Sequence, residues 1–410
     1  MGYFSKLGII GLDRIEPIIL GAMLSNKSVL LKGAHGSNKT EGCQRISEAV
    51  FGEGTKFVPY DTSLVNADDL LGFLHPAKLA EGEMDYISTP DSIWDATSCL
   101  LDEINRCNPY NAAKFFEIVR SRTINGRETH LEFVWAACNP PDKYNTAHMD
   151  AAQVSRFVVL PVPTFSDMSP ADRRLVLGLN GERGVGSLKD LMDAARVAKV
   201  SIAQEKQINE KTLKLATTLN NKGVEFSGRQ VRDLRSLLMS MDRVSSVFED
   251  MDEISEESMT DAIMGLVPEA TGLIRTTADA TALRAEVVTI MKGFKLSDPI
   301  LTAATVEDLA QAKGKDMQGW AGALTDMLMA EEDPKHVAAG WQEILKRKDI
   351  APAIFDTLRQ SFAAKDAILT MAKRGKDTPV VDAAEVLAAS LKTFGPAAQK
   401  KRKTNKNKKK

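Results

Sequence analysis

The chain is poor in the residues that build covalent or metal frameworks. Its 410 residues include four cysteines, Cys43, Cys99, Cys107 and Cys138, and no two of them form a CxxC pair. The five histidines, His35, His75, His130, His148 and His336, show no metal-ligand spacing among themselves or with the cysteines. A disulfide scaffold and a zinc site are therefore set aside, and a reducing, cytoplasmic setting is expected. Long apolar runs are missing as well. No stretch approaches the eighteen or so apolar residues of a membrane span, and the short one after Lys6 is cut at Asp13 and Arg14. Neither a membrane helix nor a secretory leader is expected from that pattern. No internal repeat is evident. Net charge is nearly absent, at −2, but it is unevenly spread. Gln399 to Lys410 carries eight Lys or Arg and no acid, which leaves −10 on the remainder.

What is present is an ordinary globular composition, 43% hydrophobic and 26% charged, long enough for two or three domains. Short apolar runs alternate with helical spacing up to about residue 165. Ser28 to Leu31, Phe57 to Tyr60, Ser98 to Leu101, Leu131 to Cys138 and Phe157 to Leu160 read as strands. Pro59 places the second of these at an end or an edge, because proline cannot donate to a ladder. Asp13 to Leu24 and Lys39 to Val50 read as helices. Strands separated by helices predict an α/β fold, a parallel sheet flanked by helices. Asn125-Gly126, between β-favouring arms, predicts a hairpin, since both turn residues need positive φ. Three prolines between Pro161 and Pro170 mark a linker or domain edge.

Beyond it only helical periodicity remains. Val231, Leu234, Leu237, Leu238, Met241 and Val244 line one face, and Asn221 to Gly223 stops the helix before it. Amphipathic segments continue at His336–Leu345 and Ala351–Phe362. The expected domains are an α/β core over 1–165, an α-helical lid over 166–250, a helical region over 251–398 and a disordered basic tail over 399–410.

Two motifs carry chemistry. Gly33-Ala34-His35-Gly36-Ser37-Asn38-Lys39-Thr40 lies between a strand and a helix, where backbone N–H groups and the helix N-terminus can hold phosphates. Lys39 would reach the β- and γ-phosphates of ATP, and Thr40 would offer its hydroxyl to Mg²⁺. Asn38 stands where glycine is usual; asparagine tolerates the left-handed backbone better than most residues. His35 reads as a solvent-facing loop residue. The second motif is Cys99-Leu100-Leu101-Asp102-Glu103, 63 residues beyond Lys39 in its Asp102. An apolar strand that ends in two acids supplies a Mg²⁺ carboxylate, Asp102, and a base for the attacking water, Glu103.

Leu101-Asp102-Glu103-Ile104-Asn105-Arg106 resembles the Walker B segment of MoxR-like AAA+ ATPases, a group related to the ATPase subunits of chelatases. The resemblance spans roughly residues 8 to 245. It implies a P-loop AAA+ core followed by an all-α lid. Phe133 to Pro140 resembles the sensor 1 strand, with Asn139 beside the γ-phosphate. Ser155-Arg156-Phe157 resembles the element whose arginine enters a neighbour's site. Ser227-Gly228-Arg229-Gln230 resembles sensor 2, where Arg229 would contact the γ-phosphate, with Arg232 and Arg235 as rivals on the same helix. His75 to Pro90 falls where this clade carries its helix-2 insertion. The resemblance further implies a ring oligomer, a hexamer, and a partner bearing a von Willebrand factor A domain, with chaperone-like remodelling of an unidentified client. Two alternatives stand beside it. One is a nucleic-acid-associated motor, suggested by the Lys tail. The other is a degenerate scaffold that binds ATP without turnover, suggested by Asn38 and opposed by the retention of Asp102 and Glu103.

Overall fold

The computed structural model describes residues 2–296 apart from 84, 142–143, 145, 177–186, 249–250 and 252–253. The basic tail and the amphipathic segments after residue 300 lie outside the described residues. One compact unit comprises Met1–Lys199 with Ile208–Leu296; Val200–Gln207 belong to a second unit, the rest of which lies outside the described residues.

Five strands form the central sheet: β1 (Val29–Lys32), β2 (Phe57–Asp61), β3 (Ser98–Asp102), β4 (Phe133–Cys138) and β5 (Val158–Pro161). Their order is β2-β3-β4-β1-β5, and every pairing is parallel. Burial explains the sequence pattern. All six residues of β4 are buried, so this strand reads as a continuous apolar run without alternation. Pro59 sits in β2, which among the described residues pairs only with β3 and is an edge, where a missing N–H leaves no gap in the ladder. The other edge strand, β5, is covered: Val159 N–H donates to Gly265 O at 2.9 Å.

Helices flank this sheet. In sequence order, those that position the site are α1 (Glu16–Leu24), α2 (Lys39–Phe51), α3 (Pro109–Ser121), α4 (Gly228–Val247) and α5 (Glu256–Met264). A buried polar relay fixes α2 to the sheet, with Trp135 Nε1–H donating to Ser47 Oγ at 2.9 Å and Ser47 Oγ–H to Ser98 Oγ at 3.1 Å. This leaves the fully buried indole satisfied. Helix α4 begins with a capping box between Ser227 and Gln230 and buries Leu234, Leu237, Leu238, Met241 and Val244. It packs across α1, which is buried from Glu16 to Met23. The crossing is close at Gly21, where a Cβ would meet Met241 Cγ at 2.6 Å.

Two small hairpins project from the core. The first, Phe73–Leu74 with Tyr86–Ile87, encloses a short helix, Pro76–Ala80, in the region expected for the inserted element. The second, Thr123–Ile124 with Arg127–Glu128, turns through Asn125 (φ 51°) and Gly126 (φ 77°). Arg127 ties the two together. It pairs with Asp85 at 3.1 Å and lies over the rings of Trp94 and Tyr86. Among the described residues no helix is long and apolar enough to cross a membrane.

Candidate nucleotide-binding site

The sheet order determines what meets at its carboxyl edge. Because β4 lies between β1 and β3, the residues just past these three strands are neighbours: the loop after Lys32, the acids at 102–103 and Asn139. Ligands of parallel α/β sheets bind at such strand ends. Gly33 N–H extends the ladder by donating to Cys138 O at 3.1 Å, and a Cβ on Gly33 would lie 2.9 Å from Val162 Cβ. The loop then turns through Gly36 (φ 73°) and Asn38, which sits at φ 50°, ψ 30°. Asn38 thus occupies the left-handed conformation that the loop requires of that position. It is also the N-cap of α2 and makes no side-chain cap bond, so the first-turn N–H groups face the loop.

Within that loop Lys39 Nζ donates to Gly33 O at 3.0 Å, Ala34 O at 2.9 Å and Ser37 Oγ at 3.3 Å. Burial pushes its ammonium below the usual lysine range, and the nearby Asp102 carboxylate opposes that shift. Thr40 Oγ1 lies 3.5 Å from Asp102 Oδ2. A hydroxyl and a carboxylate side by side are hard oxygen donors that suit Mg²⁺, an ion that keeps few protein ligands and fills its shell with water and phosphate. Asp102 Oδ1 accepts from Glu103 N–H at 2.8 Å, and Glu103 sits at φ 52°, a left-handed backbone uncommon outside glycine and asparagine. Its carboxylate pairs with Arg106 at 2.8 Å and lies 3.4 Å from Asn139 Nδ2. Asn139 is held in turn by Asn105, whose Nδ2–H donates to Asn139 O at 3.0 Å and to Thr146 Oγ1 at 2.9 Å.

A cleft of about 420 Å³ opens beside the loop. Ile9, Ile10, Phe165, Met168 and Val176 supply apolar walls, and Gly36, Asn38 and Lys39 form its polar end. Sequence reasoning missed the apolar set, because such residues are indistinguishable from core by pattern. The prolines around Phe165 were the one available signal of a special segment.

Arg156 and Arg229 are elsewhere. Both line a second cavity of about 270 Å³ with Lys27, Ser28, Arg120 and Asp233. Ser28 precedes β1 and Arg156 precedes β5, so this cavity lies at the amino edge of the parallel sheet, opposite Lys39. Arg229, expected to contact the γ-phosphate, therefore sits at the edge of the sheet opposite the Lys39 loop. The capping box at Ser227 starts α4, which packs on α1 and places Arg229 beside Lys27 and Ser28. Arg156 donates to Phe116 O at 3.0 Å and lies over the Phe116 ring. Burial, followed by the charges of Arg120 and Arg229, lowers its proton affinity. Lys27 pairs with Asp233, and burial lowers its ammonium below the usual range.

The architecture is of the α/β class, a five-stranded parallel sheet with flanking and following helices. No protein-family model and no curated protein matches the chain. Among solved structures, a candidate ATPase from Cytophaga hutchinsonii ATCC 33406 is similar at 17% identity and a TM-score of 0.49, over 72% of this chain and 92% of its own. That likeness is too slight to carry an argument. The fold rests on the sheet order and the site on the side chains described above.

Proposed function

We propose that the chain is a Mg²⁺-dependent ATPase of the AAA+ type that works as a ring. The observation that carries this reading is the convergence of Lys39, Thr40, Asp102, Glu103 and Asn139 on one end of the sheet, around a loop with uncapped helix N–H groups. ATP would lie in the 420 Å³ cleft, with its base against Ile9, Ile10 and Phe165 and its phosphates over residues 33–40. Lys39 then exchanges the loop carbonyls for β- and γ-phosphate oxygens. Thr40 and Asp102 would hold Mg²⁺, which when bound supplies charge neutralisation between those phosphates. Asn139 orients the attacking water, and Glu103 accepts its proton. The remaining charge on the transferring phosphoryl calls for a further cation beside Lys39, and at this edge Arg106 is held by Glu103 at 2.8 Å. Arg156 and Arg229, at the opposite edge, fit a neighbour's nucleotide, and that favours a shared site.

The finer reading, a MoxR-like chaperone, is supported by the hairpin Phe73–Leu74 with Tyr86–Ile87, which lies where that clade carries its insertion. A hexameric ring, a partner with a von Willebrand factor A domain and remodelling of a client belong to the same proposal and rest on the resemblance alone. The test is a pair of variants. Lys39→Ala is expected to lose ATP binding, and Glu103→Gln to keep binding while turnover falls by about 10²-fold or more. Parent-like ATP affinity in Lys39→Ala would sink the assignment.

A further inference from the structure

His35 departs from what a solvent-facing loop residue should do. Although exposed, it places Nε2 3.3 Å from Asn139 Nδ2, and its ring meets Tyr144 edge-on with centroids 5.1 Å apart. Asn139 is 3% exposed, and its Nδ2 also faces Glu103 Oε1 at 3.4 Å. Its Oδ1 is buried and has no hydrogen-bond partner among the described residues. A terminal amide is nearly symmetric in shape, so its neighbours decide which end points where. Two acceptors beside Nδ2 select one orientation, the Glu103 carboxylate and the Nε2 lone pair of His35 in its Nδ1–H form. The two N–H bonds of the amide then bridge the loop histidine and the base.

We propose that His35 is a positioning residue for hydrolysis. By accepting from Asn139 Nδ2, it holds the amide so that the second N–H stays on Glu103 Oε1 and fixes where that carboxylate points. Glu103 is thereby aimed at the water whose proton it accepts. Because His35 belongs to the loop that would hold the phosphates, it also references the amide to the nucleotide. This inference rests on the ATPase reading and adds to it a role for a residue outside the two acids and the lysine.

The experiment compares steady-state ATP turnover and fluorescent-nucleotide affinity in the full chain for His35→Ala, His35→Gln, Asn139→Ala and the His35→Ala/Asn139→Ala pair. His35→Ala is expected to lower kcat about tenfold, the scale of one well-placed hydrogen bond, with nucleotide affinity within about twofold of the parent. His35→Gln, whose Oε1 can accept from Nδ2, should recover most of that loss. On the Asn139→Ala background the histidine change should cost nothing further, since its effect passes through the amide. Unchanged kcat in His35→Ala overturns the inference. So does an equal loss on both backgrounds, or a loss matched by weaker nucleotide binding. Lack of Lys39-dependent turnover in the parent overturns the ATPase reading itself, an outcome distinct from these.

Discussion

At the scale of the residue, the loop conformation turns on Asn38. At φ 50° and ψ 30°, a β-branched side chain would crowd the backbone, at a cost of about 1–2 kcal/mol. Asn38→Gly should therefore bind ATP like the parent, whereas Asn38→Val should bind about tenfold more weakly, because about 1.4 kcal/mol is a factor of ten. Equal affinities for the two variants would show that the left-handed turn does not matter to phosphate binding. The acids at 102 and 103 were legible as the end of an apolar strand, and the structure brings them beside Thr40 and Asn139. The role of His35 was not legible, because a contact across 104 residues depends on the sheet order that brings β4 beside β1. The apolar cleft residues Ile9, Ile10 and Met168 were hidden for the opposite reason: nothing in their chemistry separates a nucleotide wall from core.

At the scale of the element, strands and helices followed their sequence patterns to within a few residues. The apolar run of β4, the edge proline of β2 and the Asn125-Gly126 turn each had a local cause that the structure retains. What local pattern could not give was the docking of α4 on α1, which decides where Arg229 goes. That docking depends on Gly21, where Met241 occupies the space a side chain would need. Gly21→Val is expected to destabilise the fold by about 1–3 kcal/mol through overpacking. The effect should appear as a lower denaturant midpoint with an unchanged slope. A midpoint equal to the parent's would mean that the two helices are not packed as described. The Arg229 cavity would then lose its structural basis.

At the scale of the molecule, the separation of charges is the main feature. The phosphate loop, the acids and Asn139 lie at the carboxyl edge of the sheet, and Arg156, Arg229 and Arg120 line a cavity at the amino edge. On the proposed reading, a protomer carries the phosphate-binding groups and the base at one edge and offers Arg156 and Arg229 to a neighbour at the other. Repetition of one heterologous contact would join the two edges and, if the rotation closes, make a ring. Specific activity is then expected to rise with protein concentration as protomers assemble. The most direct measurement mixes Arg156→Ala with Lys39→Ala, each inactive alone, under conditions in which subunit exchange is demonstrated. A shared site predicts that the mixture recovers part of the parent turnover, because some interfaces pair an intact Lys39 with an intact Arg156. Full activity in a proven monomer, independent of concentration and insensitive to Arg156→Ala, would contradict the account.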